Sequence, residues 1–414
     1  MKQALKGPAL AAFVMIFVSG VGLAEAADNP GKTVFDRTVE ITNEAFYRPS
    51  QLDAFNLRAE EILADNDDFT TADPARVEAA IDALLASLKT SHTARYTADE
   101  VAYFELVDVF RFNFRDQLRR LFPPDGGVSY DGIGLATREI DGKLFVSDVY
   151  DGGPASRANV MAGDEIIAAN GAHFTEITSF AGKAGKEVVL TLRRDAGGPT
   201  LDIKVVVEKL QPSEALLDAI SDSVTVINRD GRRIGYIRIW SYTRSAVGRI
   251  LASELGDGRL ANIDGLVLDL RSRWGGAPAD AAEIFVGGTP DMRMIERDGE
   301  TRFVNGRWQK PVVAIIDEGT RSGMELFANA LQANDIPLVG TPTAGAVVGG
   351  RGFLLPDDSL LVMAVVDVLV DGKRLEGNPV EPDIEIPFDF RYAAGADPQL
   401  DAAVEEMIRI LPEA

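Results

Sequence analysis

Four short apolar runs, at residues 234–239, 266–270, 312–316 and 336–339, constrain the fold of this chain more than any other feature. They lack the strict polar alternation of a strand with one wet face, so they read as strands buried on both faces. Stretches with helical spacing separate them, near 244–255, 278–286 and 323–332. Alternation of this kind predicts an α/β core built from crossover units, because a buried strand needs a helix on its face.

Two other regions precede that core. Over 27–125 the spacing is helical: Val77, Ile81, Leu84 and Leu88 form one apolar stripe, and a second amphipathic stretch runs over 99–121. The first of these helices ends near Thr90, which leaves Ser91, His92 and Thr93 in the turn beyond it. From 126 to 210 the pattern changes to strands, at 144–149, 165–169, 188–193 and 201–207, joined by Gly-rich turns. At the start, Lys2 and Lys6 precede an apolar run over 9–24, and Ala24-Glu25-Ala26 offers small residues for cleavage. This predicts a secretory signal over 1–26 and an exported, periplasmic protein that meets a membrane only if that segment stays uncleaved. The expected division is therefore 1–26, a helical cap over 27–125, a β-rich unit over 126–210 and an α/β core over 211–414.

Composition narrows the chemistry. Against 42 Lys+Arg stand 64 Asp+Glu, a formal charge of −22, which argues against nucleic acid as a partner. There is no Cys, so disulfide frameworks, thiolate metal sites and cysteine nucleophiles are excluded. Only His92 and His173 are available for histidine chemistry, too few and too far apart to imply a zinc site, and nothing implies a cofactor.

Three places combine reactive side chains with special backbone. Ser322, in Gly319-Thr320-Arg321-Ser322-Gly323-Met324-Glu325, follows one apolar run and opens a helix, where N–H groups favour developing negative charge. Taken alone, an ordinary helix N-cap is the plainer reading. Gly275 and Gly276 follow another run and could expose backbone N–H groups as an oxyanion hole, or equally form a simple tight turn. His92 sits just past a helix end, where a lone histidine is commonly a capping or surface residue. His173 reads as surface or groove lining.

Together these segments carry two resemblances. Gly132-Ile133-Gly134-Leu135, with Gly153-Pro154-Ala155, Ala162-Gly163-Asp164 and Asn170-Gly171, resembles a PDZ domain. That resemblance implies a Gly132–Leu135 loop that receives the terminal carboxylate of a peptide paired along a sheet edge. Asp269-Leu270-Arg271 with Gly275-Gly276, followed by Gly319-Thr320-Arg321-Ser322 and Glu325, resembles the C-terminal processing (tail-specific) serine peptidases, with a ClpP/crotonase-like core. Those enzymes pair their serine with a lysine, but the corresponding position here is Ala346, and Lys373 does not fit the motif. The tricorn-type branch is the better match. Leu88-Lys89-Thr90-Ser91-His92-Thr93 and Glu376-Gly377-Asn378-Pro379-Val380-Glu381-Pro382-Asp383 resemble its two remaining motifs, with Gly377 and Pro379 departing from the usual turn.

The resemblance implies a Ser322 nucleophile, a His92 base, and Ser91 and Glu376 as its supports, with the oxyanion held by Gly323 and the Gly275-Gly276 loop. It implies peptide-bond hydrolysis through an acyl-enzyme, acting on peptides or proteins captured by a chain terminus. An ordinary imidazole pKa near 6.5 would make activity rise through that titration. The rival reading is an inactive protein of the same fold that binds peptides or lipophilic ligands. Substrate identity and oligomeric state stay open.

Overall fold

The apolar runs become the centre of a six-stranded sheet. Its order is Ile384–Glu385, Leu338–Gly340, Val312–Ile316, Gly265–Asp269, Arg232–Arg238 and Thr225–Arg229. Every neighbouring pair is parallel except the last, an antiparallel hairpin. The computed structural model describes residues 30–412 apart from 66–68, 70–73, 288–291 and 305–307. The signal segment expected over 1–26 lies outside them. Among the described residues no helix is long and apolar enough to cross a membrane.

The pleat explains why these strands are apolar throughout. Leu266, Leu268, Ala314, Ile316 and Leu338 point to one side, into a cluster with Leu251, Leu255, Met324, Phe327 and Leu331 from the helices Ala246–Gly256 and Gly323–Gln332. Val267, Val313, Ile315 and Val339 point the other way, against Ala403, Val404 and Met407 of the terminal helix Pro398–Ile410. Each such side chain larger than alanine, removed from water, contributes about 1.5–3 kcal/mol. The helix packs so closely that a Cβ on Gly265 would lie 2.2 Å from Met407 Sδ, so glycine starts that strand. Arg271, just past the Gly265–Asp269 strand, pairs with Asp269 at 2.6 Å and with the helix-capping Asp397 at 2.7 Å. The helix expected over 278–286 shortens to Glu283–Val286, with turns before it.

Residues 130–210 form a separate β unit. Five antiparallel strands lie in the order Leu135–Ile140, Lys143–Val149, Glu165–Ala169, Glu187–Arg193 and Leu201–Val206. Val188, Leu190 and Leu192 are fully buried while Val189 and Thr191 are half-buried, the period-2 pattern of a sheet with one packed face.

The helices Pro30–Ala45, Leu52–Asp65 and Pro74–Ala86 cover a third sheet, Ala94–Tyr96, Leu360–Asp367 and Val348–Leu354, all antiparallel. Strands from opposite ends of the chain meet there, with Ala94 opposite Val362. The helix expected over 99–121 is interrupted: Val101–Val109, a 3-10 turn Arg111–Asn113, then Arg115–Leu121. The break turns Phe114 (φ −144°) into a cluster with Leu106, Leu118, Leu360 and Val362 and leaves Phe112 exposed. A continuous helix would not reach this cluster and clear Gly352, whose absent Cβ would sit 2.8 Å from Phe110.

Candidate active site

Adjacent parallel strands end at Asp269, Ile316 and Gly340, and the loops leaving them lie side by side at the carboxyl edge of the sheet. That edge is where open α/β sheets bind ligands. The middle loop carries Ser322. Its φ of +57° and ψ of −130° are costly for a residue with a side chain, about 1–3 kcal/mol. Two contacts hold it there: its N–H donates to the Ala346 carbonyl at 3.0 Å and to Glu325 Oε2 at 3.2 Å. A strained serine between strand and helix has the form of a nucleophile elbow.

Glu325 is the clamp of this corner, a role that its place in the serine motif signals but residue chemistry alone does not reveal. It is fully buried, and its carboxylate accepts from Thr343 Oγ1 (2.6 Å), Gly345 N–H (2.8 Å) and Ala346 N–H (2.7 Å). Burial pushes its pKa up while these donors pull it down. Ala346, where a processing peptidase would have its lysine, is buried and offers only backbone to the serine. Lys373 lies exposed in a short hairpin.

The neighbouring loop brings the glycine pair against the serine. A Cβ on Gly275 (φ +65°) would lie 2.4 Å from the Arg321 carbonyl and 2.8 Å from Ser322 Cβ. A Cβ on Gly323 would lie 2.6 Å from Ala277 N. Among the described residues the N–H groups of Gly275, Gly276 and Gly323 have no protein acceptor, so this corner carries unspent donors.

His92 arrives from the cap. Pairing of Ala94 with Val362 fixes the strand two residues beyond it, and the imidazole lies over Gly350, where a Cβ would be 3.2 Å from His92 Cδ2. Glu376 Oε2 accepts from Ser91 Oγ at 2.8 Å, and its Oε1 accepts from Ser91 N–H at 2.8 Å and Thr90 Oγ1 at 3.0 Å. Since the Ser91 hydroxyl proton goes to Glu376, Ser91 Oγ accepts from His92 Nδ1–H at 2.9 Å. That tautomer leaves the Nε2 lone pair free. The 343–347 loop lies between the two halves: Gly377 N–H bonds the Gly345 carbonyl at 2.8 Å on one flank, and Ala346 holds Ser322 on the other. Among the described residues no hydrogen bond joins His92 to Ser322.

Burial lowers the His92 pKa to about 4, helped by the Arg321 cation and opposed by Glu376. The sequence alone suggested an ordinary imidazole; desolvation moves its titration well into acid.

In the β unit, the Ile133 and Gly134 carbonyls turn inward, accepting from Ala155 N–H at 2.8 Å and Tyr150 N–H at 2.9 Å. His173 lines a groove with Thr137, Glu139 and Glu176. Glu176, not singled out from sequence, accepts from Thr137 N–H at 3.2 Å and from Val101 N–H at 3.0 Å.

Known proteins resemble this chain in the same segments. Residues 233–386 match the description "Peptidase family S41" and residues 132–205 the description "PDZ domain". The carboxy-terminal processing protease CtpA of Bacillus subtilis is 25% identical over 274 residues, 62% of this chain and 56% of CtpA, so the match spans little more than half of that relative. Two solved structures share the fold. A photosystem II D1 C-terminal processing protease superposes with a TM-score of 0.50 at 20% identity, covering 89% of this chain and 98% of that one. The tricorn protease gives 0.51 at 17% identity, covering 92% and 37%.

Proposed function

Because residues 233–386 belong to peptidase family S41 and residues 132–205 are a PDZ domain, we propose that this chain is an exported serine peptidase that works through an acyl-enzyme. The observation that carries the reading is the hydrogen-bonded series Glu376–Ser91–His92, whose imidazole feels the charge of Arg321, the residue before a serine in a strained elbow. Ser322 attacks the peptide carbonyl and His92 Nε2 takes its proton, then delivers it to the leaving amine. Glu376, through the Ser91 hydroxyl, supports the imidazolium formed in the transition state. The N–H groups of Gly323 and the Gly275-Gly276 loop receive the oxyanion, a single donor of this kind contributing about 3 kcal/mol. Water then repeats the sequence on the acyl-enzyme. Catalytic hydrogen bonds of this kind commonly tighten only in the complex with substrate, and the bond from Ser322 Oγ to His92 Nε2 is assigned to that complex. The PDZ loop Gly132–Leu135 binds the terminal carboxylate of a peptide or protein substrate.

Labelling tests the nucleophile. A fluorophosphonate probe marks the folded wild-type chain at Ser322, and Ser322→Ala abolishes the mark. An unlabelled wild type would favour the peptide- or lipophilic-ligand-binding alternative.

The acid titration tests the base. With His92 near pKa 4, kcat/KM stays level from about pH 5 to 8 and falls only in stronger acid, since the imidazole must be neutral to accept a proton. Arg321→Gln removes a charge that disfavours imidazolium, so the pKa rises and the acid limb moves toward neutrality. A limb that Arg321→Gln leaves in place speaks against His92.

A further inference from the structure

Glu105 is a buried carboxylate that takes no part in the chemistry above, yet it grips the loop on which that chemistry depends. It stands in the Val101–Val109 helix and is 1% exposed. Its Oε2 accepts from Arg273 Nε and from Trp274 Nε1, each at 2.7 Å, and its Oε1 accepts from the Tyr150 hydroxyl. Arg273 and Trp274 immediately precede Gly275-Gly276. Among the described residues Glu105 is the sole ion-pair partner of Arg273.

A Gly-Gly pair has little preference of its own for one conformation, so its shape must be imposed from outside. The core imposes part of it: Tyr242 N–H donates to the Gly275 carbonyl at 2.8 Å and Arg273 N–H to the Trp240 carbonyl at 2.9 Å. Glu105 acts instead on the side chains of Arg273 and Trp274. The Trp274 ring it fixes also meets Tyr96 edge-on at 6.4 Å, and Tyr96 ends the strand that follows His92. A buried carboxylate with three donors cannot shift without stranding charge, which makes it a rigid post.

We propose that Glu105 is a positioning residue for the reaction, holding Arg273 and Trp274 so that the N–H groups of Gly275-Gly276 face the oxyanion. It rests on the peptidase reading of Ser322 given above. The test compares the full chain with Glu105→Gln, which keeps shape and loses charge, and with Trp274→Phe, which keeps the packing and loses one N–H donor. Turnover is counted per fluorophosphonate-reactive site, so a misfolded fraction does not register.

In both variants kcat falls about tenfold or more with KM within about twofold, because the loss falls on the transition state. Affinity for a peptide aldehyde, whose adduct places an oxyanion in the same hole, falls by the same factor. Amide hydrogen exchange at Arg273 and Tyr242, whose N–H groups bond the Trp240 and Gly275 carbonyls, quickens about tenfold while the Glu187–Arg193 strand keeps its protection. A post that only stabilised the fold would lower Tm and leave kcat per site and aldehyde affinity alone; that result, or unchanged exchange at Arg273 and Tyr242, overturns the proposal. A wild type without Ser322-dependent turnover sinks the peptidase reading instead, and the exchange comparison still decides whether Glu105 holds the loop.

Discussion

His92→Ala lowers kcat/KM of the full chain by on the order of 10⁴-fold, the size expected when a serine hydroxyl loses its general base and keeps only binding and the oxyanion donors. The fold survives the change. His92 is half-buried and its ring lies over Gly350, so alanine removes no core side chain. Its φ of +52° costs alanine about 1 kcal/mol or a little more over histidine's usual tolerance of that region. Tm therefore shifts by a few degrees at most while turnover collapses, and thermal unfolding measured beside the kinetics separates the two. Turnover near the wild-type rate in a folded His92→Ala chain would remove the base from the account.

Gly275→Ala gives the second large effect, at least about 10²-fold in kcat. The added methyl would stand 2.4 Å from the Arg321 carbonyl and 2.8 Å from Ser322 Cβ, and φ is +65°. Backbone cannot yield as a flexible side chain does, so either the glycine loop retreats or the elbow moves. A displacement near 1 Å at a reacting centre costs about 10²-fold. The matched control is Gly142→Ala, at φ +71° with nothing within 4 Å of the new Cβ. It bears similar backbone strain, about 1–2 kcal/mol, and leaves kcat unchanged. Equal kinetic losses in the two variants would show that strain alone, not proximity to Ser322, is being measured.

What could be read from the sequence follows the range of the forces involved. Strands 265–269 and 312–316 announce themselves because burial on both faces makes them apolar, save for Asp269, whose buried charge Arg271 neutralises at the strand's end. Ser322 and Gly275-Gly276 stand out for a related reason: each lies just past such a strand, where backbone conformation is unusual. The strand Ala94–Tyr96 gives no such signal. It is three residues long, half-buried throughout and defined by its pairing with 360–362, a partner far along the chain. The terminal helix Pro398–Ile410 does bear a local mark, Asp397 capping Leu400 N–H before a first-turn proline, which attention to apolar runs passes over. The interruption at 110–114 answers to packing against 360–362, so the helical spacing of 99–121 could not foretell it. The displaced His92 pKa has the same origin: it depends on what covers the ring, and the covering strand comes from the last quarter of the chain.

The sheet that joins residues 94–96 to residues 348–367 has a consequence for the order in which the protein becomes itself. During synthesis the helical front and its imidazole emerge first and the hydroxyl follows much later. The surface on which the imidazole rests, and the carboxylate at 376 that steadies it, emerge later still. On the proposed assignment, a chain that stops before them lacks both the sheet that seats the imidazole and the carboxylate that supports it, so its serine has no proton acceptor. On the peptidase reading, the site is completed only when synthesis has passed residue 376, which would spare the unfinished polypeptide from its own activity.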